Sequence, residues 1–224
     1  MAEPPRSPVA VAVRSLEVRW IFPGQLEAAV ARWSARFPAT AQSRVDAYLL
    51  DPQLRGLSVK IRGGGALEVK MYRGSPGILE VAGRARGRME AWQKWSFPIS
   101  PLRQGSGTPV GWRPVRKKRR VGRFLHPGGQ IVAPAAGLDH EPGCQVELTE
   151  VHLGGQDWWT LGFEATGPAD LLRSELHATA ALVFAQALPG SVEPGPDESR
   201  SYAEWLYQRP ASDAASGRIQ QSHR

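Results

Sequence analysis

The chain has 224 residues, 42% hydrophobic and 22% charged, the balance of a globular domain with a sizeable core rather than of a disordered or collagen-like chain. Lys plus Arg number 28 against 21 Asp plus Glu, a formal charge of +7; five are lysines and 23 are arginines, whose flat forks of donors suit phosphate oxygens. No run approaches ~18 apolar residues, the N-terminus lacks the basic start and apolar core of a secretory signal, and the single Cys144 excludes an internal disulfide, so a cytoplasmic setting without membrane spans is expected.

Residues 1–10, rich in proline, are predicted to be disordered. From Val11 to Phe22 apolar and polar residues alternate as in a strand. Pro23-Gly24 then opens a predicted helix to about Phe37, with Leu26, Val30, Trp33 and Phe37 on one face. Strands are predicted at 44–50, 57–62 and 66–73, and Ser75-Pro76-Gly77 reads as a turn into an extended segment over 78–97. Gly105–Pro109 reads as a loop, 112–125 as a basic strand, and 126–143 as a second loop. Strands at 145–153 and 158–165 are joined by a Gly154-Gly155 turn. Pro168 and Asp170 start a second helix with Leu172, Leu176, Thr179 and Val183 as its buried stripe, ending at Pro189-Gly190. A linker leads to the segment SYAEWLYQR, and 208–224 is predicted to be a disordered tail, so that 11–207 forms a single α+β domain.

Alternation sorts the strand side chains onto two faces. Leu16, Val18 and Trp20 oppose Ser15, Glu17 and Arg19; Leu57, Val59 and Ile61 oppose Ser58, Lys60 and Arg62; Leu67, Val69 and Met71 oppose Glu68, Lys70 and Tyr72. Arg84, Arg86, Arg88, Glu90 and Lys94 share a face, as do Arg113, Lys117, Arg119 and Arg123, with Val115 and Val121 between them. Glu147 and Thr149 share another, and Glu164 opposes Leu161 and Phe163. Any half-exposed antiparallel sheet carries charge on its solvent side. If the sheet closes, however, these faces converge on one interior of cations and a few carboxylates, suited to a phosphate chain with a hard cation.

The run Asp46-x-Tyr48-x-x-Asp51, followed by Ser58-Val-Lys60-Ile-Arg62 and Leu67-Glu-Val-Lys70, resembles the CYTH superfamily, the triphosphate tunnel metalloenzymes. Ser15-x-Glu17-x-Arg19 aligns with that family's opening Glu-x-Glu-x-Lys, Val115–Arg119 is similar to its central basic strand, and Val146-Glu147-Leu148, Phe163-Glu164 and Arg200–Leu206 resemble its closing segments. The resemblance implies an eight-stranded antiparallel β-barrel, a tunnel with flanking helices, that holds triphosphate with Mg2+ or Mn2+. Carried over by position, it makes Glu17, Glu147 and Glu164 the candidate metal ligands and catalytic carboxylates. Arg19, Lys60, Arg62, Lys70, Arg88, Lys117 and Arg119 become the candidate substrate clamp, and the expected partner is a phosphorylated small molecule. Two positions depart from the pattern: Ser15 stands where the family has its first glutamate, and Thr149 where an aspartate often follows the late one. Each removes a carboxylate from the site.

A metal-dependent phosphohydrolase is therefore the leading expectation, and a tunnel that binds polyanions without hydrolysing them is the alternative that Ser15 makes credible. A third reading is RNA binding by the seven basic residues between Arg113 and Arg123, with Trp92, Trp95 and Trp112 as stacking surfaces. His126, His140, His152, His177 and His223 show no metal-ligand spacing, and the chain has no Walker A loop, dinucleotide-binding glycine pattern or Gly-x-Ser-x-Gly elbow. Gly63-Gly64-Gly65 reads as a hairpin turn, and Trp158-Trp159 as packing between sheet and helix.

Overall fold

The computed structural model describes residues 12–99, 111–125, 130–132, 142–190 and 192–209. The N-terminal stretch 1–10, the loop at 105–109, most of the loop at 126–143 and all but the first two residues of the predicted tail 208–224 lie outside the described residues.

Nine strands form the sheet: β1 (Val13–Pro23), β2 (Thr40–Leu49), β3 (Leu57–Arg62), β4 (Ala66–Val81), β5 (Ala85–Pro98), β6 (Trp112–Leu125), β7 (Gln130–Val132), β8 (Gly143–Leu153) and β9 (Gln156–Thr166). Their order is β2-β3-β4-β5-β1-β9-β8-β6, and β6 pairs back onto β2 from Trp112↔Leu49 to Val121↔Thr40, so eight antiparallel strands close into a barrel. The short β7 is added to the end of β6. Among the described residues three α-helices accompany the barrel: α1 (Ala28–Ala35), α2 (Leu172–Val183) and α3 (Tyr202–Tyr207). The eight-stranded antiparallel tunnel expected from the sequence is the fold observed. No described helix is long and apolar enough to cross a membrane.

Three elements differ from expectation, one of them α2, which ends at Val183 and not at Pro189-Gly190. Ser75-Pro76-Gly77 is no turn: β4 runs through it to Val81, and the register with β5 shifts between Tyr72 and Gly77 while pairing continues from Gly77↔Met89 to Val81↔Ala85. Gly74 and Gly77 take φ of 118° and 120°, which lets the strand bulge without ending. The hairpin instead lies at Ala82–Arg84. The first helix begins later than Pro23-Gly24 predicts, because β1 holds its pairing with β9 as far as Pro23↔Trp158. The Gly154-Gly155 turn is as predicted, both residues at positive φ (58° and 78°), the demand of a tight two-residue hairpin.

The apolar faces sit outside the barrel, not within it. Leu16, Val18, Trp20 and Phe22 of β1, with Leu161 and Phe163 of β9, pack beneath Val30 and Trp33 of α1 and Leu172, Leu176, Ala180 and Val183 of α2. Trp159 stacks on Phe22 with ring centroids 4.2 Å apart, and Trp158 meets Trp205 of α3. Pairing of β1 with β5 stops at Glu17↔Glu90; beyond it Trp20 fills the gap, its indole N–H donating to the Arg86 carbonyl at 2.9 Å. A Cβ at Gly87 would lie 2.6 Å from both the Trp20 ring and Val18. Gly87→Ala is therefore expected to destabilise the fold by about 1–3 kcal/mol through overpacking, measured by urea unfolding. A loss below half a kcal/mol would show that Trp20 can yield.

A second apolar cluster stops one end of the barrel. There Ile21, Tyr48, Val115 and Val151 meet Trp205 and Leu206 of α3. The chain reaches this position by riding along β1: Ile21 donates its backbone N–H to Glu198, and Arg200 donates to Arg19. Ser201 caps α3, its hydroxyl accepting from the Glu204 N–H.

Candidate functional site

The barrel interior beyond this plug is a cavity of about 90 Å3 in which side chains from every barrel strand converge. Eleven Lys and Arg residues and five glutamates line it. Barrel closure gives this result from simple alternation, since Glu17 and Arg19 on β1 must point opposite to Leu16, Val18 and Trp20, which the helices cover.

All ten residues singled out from the sequence line this one cavity: Glu17, Arg19, Lys60, Arg62, Lys70, Arg88, Lys117, Arg119, Glu147 and Glu164. The three candidate metal ligands do not converge. Glu17 and Glu164 face each other across β1 and β9, and Lys70 lies between them, its Nζ 2.6 Å from Glu17 and 3.3 Å from Glu164. Glu147 stands apart, gripped by Arg119 and by Arg19 at 3.2 Å. Among the described residues, no three Asp, Glu, His or Cys side chains form a metal-ligand group.

The two departures from the family pattern have matching roles. The Ser15 hydroxyl donates to Glu17 at 2.7 Å, and the Thr149 hydroxyl donates to Glu147 at 2.7 Å. In each case an inward-facing hydroxyl two residues along the strand occupies a lone pair of the carboxylate that remains. Each carboxylate is thus held in one rotamer by its own strand.

Several interior residues had no functional role in the sequence reading. Asp46, fully buried, forms ion pairs with Arg44 at 2.9 Å, Lys117 at 3.1 Å and Lys60 at 3.9 Å. Glu68 pairs with Lys60 and Arg62, each at 2.9 Å. Glu90 accepts from Arg88 at 2.7 Å and from the Trp92 indole at 3.1 Å, and Arg88 reaches on to Glu204, tying α3 to the interior. Tyr202 of α3 lies with its ring 3.9 Å from the Lys117 ammonium and 4.5 Å from the Arg19 guanidinium. The signal for Glu68 and Glu90 was available, since both share strand parity with clamp residues. Tyr202 stands in the Arg200–Leu206 segment singled out from the sequence, but where that helix docks is set by the fold.

Burial and charge act against each other here, and charge wins for most carboxylates. Burial alone would raise Asp46, Glu68 and Glu147. Lys117, Lys60 and Arg44 hold Asp46 far below the usual range, Lys60 and Arg62 do so for Glu68, and Arg119 and Arg19 for Glu147. Glu164, buried beside Lys70 and Lys94, is lowered to about 2. Glu90 is the exception: burial, with Glu17 adding to it, outweighs Arg88 and raises its carboxyl. Lys117 moves down, to about 7, because burial and the neighbouring Lys60 and Arg44 outweigh Asp46 and Glu147.

The basic strand divides by alternation. Lys117, Arg119 and Arg123 line the cavity, whereas Arg116 and Lys118 are exposed on the outer wall. Of the three tryptophans considered as stacking surfaces, Trp92 lies in the barrel and Trp95 and Trp112 outside it. The buried imidazole edge of His177 on α2 lies far from this chemistry, and His152 pairs with Asp157 at 2.8 Å on the surface.

No protein-family model matches the chain, and no curated protein matches it. Among solved structures it is similar to a protein from Pyrococcus horikoshii OT3, with 12% identity over 86% of this chain and 98% of the other, at a TM-score of 0.43. It is also similar to a putative adenylyl cyclase from Hippeastrum, described as having a dominant triphosphatase activity, with 10% identity over 80% of this chain and 92% of the other, at a TM-score of 0.40. At that level of similarity, what those proteins do does not carry over to this chain.

Proposed function

We propose that the barrel binds a triphosphate, or a related phosphorylated small molecule, in its interior and releases phosphate from it with Mg2+ or Mn2+. One observation carries this reading: eleven Lys and Arg side chains line the barrel cavity against five glutamates and the buried Asp46 beside them, an interior excess of positive charge. An excess of positive over negative charge in a protein interior is costly unless an anion offsets it, and a phosphate chain offers several charges within one narrow volume. Arg19, Lys60, Arg62, Lys70, Arg88, Lys117 and Arg119 are the clamp, forks and ammonium groups that reach phosphate oxygens from different strands.

The donor set fits a cation held jointly by protein and substrate. Mg2+ commonly takes one or two carboxylates and completes its shell with phosphate oxygens and water. Glu17 and Glu164, adjacent on paired strands with Lys70 between them, would be such a pair once that ammonium turns to the phosphate; Glu147, engaged by two arginines and Thr149, is better placed to orient Arg19 and Arg119. When bound, the cation would neutralise phosphate charge and make a coordinated water more acidic. The chain itself holds Glu17 in place through Ser15, presents Arg19 and Arg119 in fixed orientation, and excludes water at the α3 end.

The test is phosphate release from inorganic triphosphate, ATP and thiamine triphosphate, with Mg2+ or Mn2+ and with EDTA. The expected result is metal-dependent release that falls ~100-fold or more in Glu17→Gln, a loss of several kcal/mol of transition-state stabilisation. A second reading, binding without turnover, is favoured by the hydroxyls at Ser15 and Thr149. It predicts no release from any of the three substrates while triphosphate still raises the melting temperature. Neither release nor stabilisation would overturn both readings.

A further inference from the structure

We propose that Tyr72, backed by Trp92, is the subsite for the flat ring of an organic triphosphate, an ester of the nucleoside or thiamine kind. The inference rests on the reading that the interior holds the phosphate chain. Alternation sends Tyr72 of β4 to the inner face behind Glu68 and Lys70, and Trp92 of β5 to the same face among Arg88, Glu90 and Lys94. Register sets Tyr72 directly opposite Trp92, two residues along from the Lys70↔Lys94 pair. The other inward positions named here are charged, and this one cross-strand pair is aromatic. The two rings meet edge to face, with centroids 5.2 Å apart. The Trp92 indole is fixed by donating to Glu90 at 3.1 Å, and the Tyr72 backbone N–H donates to the Gly56 carbonyl at 2.9 Å.

Exposure separates this pair from core packing. Trp92 is 6% exposed and lines the cavity, whereas Tyr72, on the same face, is 39% exposed. Neither ring belongs to either apolar cluster. An inward tyrosine that meets water stands at an opening of the cavity. The bulge accounts for the opening, since β4 loses register with β5 immediately after Tyr72, and a bulge bends its strand. Successive inward residues on a strand lie ~7 Å apart. A phosphate held by Lys70 therefore leaves a ribose or a short alkyl linker to span the step to Tyr72. The charges acting on the phenol are those of Glu90, Arg88 and Glu204. Two carboxylates against one guanidinium disfavour another phosphate there and suit a neutral or cationic ring, which an aromatic side chain receives by stacking.

The test is calorimetric titration of the full chain with inorganic triphosphate, ATP and thiamine triphosphate in EDTA, which withholds the metal that turnover needs. Tyr72→Ala is expected to weaken binding of the ring-bearing esters on the order of 10–100-fold, and that of inorganic triphosphate by no more than about 2-fold. Tyr72→Phe keeps the ring and is expected to keep the affinity. Retained binding of inorganic triphosphate also shows that Tyr72→Ala is folded. A loss confined to ATP assigns the subsite to a nucleoside, a loss confined to thiamine triphosphate assigns it to a cationic ring, and a loss of both assigns it to flat rings in general. An equal loss for all three ligands, no loss for either ester, or a loss that Tyr72→Phe shares would overturn the subsite while the interior reading stands. A wild type that binds none of the three would overturn the interior reading, and the subsite with it.

Discussion

Asp46→Asn is expected to lower the stability of the free protein by about 3–5 kcal/mol, and triphosphate is expected to restore part of that loss. Asp46 has no exposed surface and is the shared counter-charge of Arg44, Lys60 and Lys117. The amide keeps the shape and removes the charge, so that where β2 closes onto β6 Arg44 loses its paired carboxylate and Lys117 the carboxylate that favours its charged form, while Lys60 keeps Glu68. Removing one partner of a buried ionic group costs far more than the net worth of the pair, since the desolvation of the others is no longer offset. A bound polyanion supplies new counter-charge to Lys60 and Lys117, so the rise in melting temperature on adding triphosphate should exceed that of the wild type. Urea unfolding with and without triphosphate measures both. A stability loss under 1 kcal/mol would mean water reaches this cluster, and an equal ligand shift in the two proteins would place the anion elsewhere.

The strands were legible because each carries its own period. In 57–62 every second residue is apolar, and that alone fixed β3 and assigned Ser58, Lys60 and Arg62 to one face. Closure turned such local parity into a common interior, which is why all ten residues chosen from the sequence line one cavity. What stayed hidden depends on partners distant in sequence. Lys117 meets Asp46 only because β6 crosses to β2, and nothing in either strand announces the other. The Ser75-Pro76-Gly77 stretch has turn chemistry, yet continued pairing of β4 with β5 from Gly77 to Val81 absorbs it as a bulge. Ser15 and Thr149 were legible as missing carboxylates, but their function as donors to Glu17 and Glu147 is a matter of rotamer and strand pleat. Apolar residues on 57–61 and 67–71 oppose the charged face in sequence, and the structure places them on the outer side of the barrel, apart from both apolar clusters.

Triphosphate affinity is expected to fall roughly 10-fold per pH unit between pH ~7 and ~9, with a proton taken up on binding. The group responsible is Lys117. Burial is the largest cause of its low value, about 7, and the neighbouring cations Lys60 on β3 and Arg44 on β2 add to it against Asp46 on β2 and Glu147 on β8. Its ammonium donates to the Tyr48 hydroxyl at 2.7 Å and lies over the Tyr202 ring of α3. A polyanion arriving beside it favours the charged form and raises its value. Below about 7 the lysine is charged in both free and bound protein, and affinity is flat. Above that, binding must recharge it, so affinity declines until pH passes the value in the complex. Ionisation of a terminal phosphate adds negative charge as pH rises and so strengthens binding to the cations, the opposite slope. Calorimetric titration in buffers of different ionisation enthalpy counts the protons directly. Lys117→Met should bind more weakly at pH 7 and lose the proton uptake, while Asp46 keeps Arg44 and Lys60 as partners. Unchanged proton uptake in Lys117→Met would reassign the linkage to another interior group, and Glu90, the one interior carboxyl whose value is raised, would be examined next.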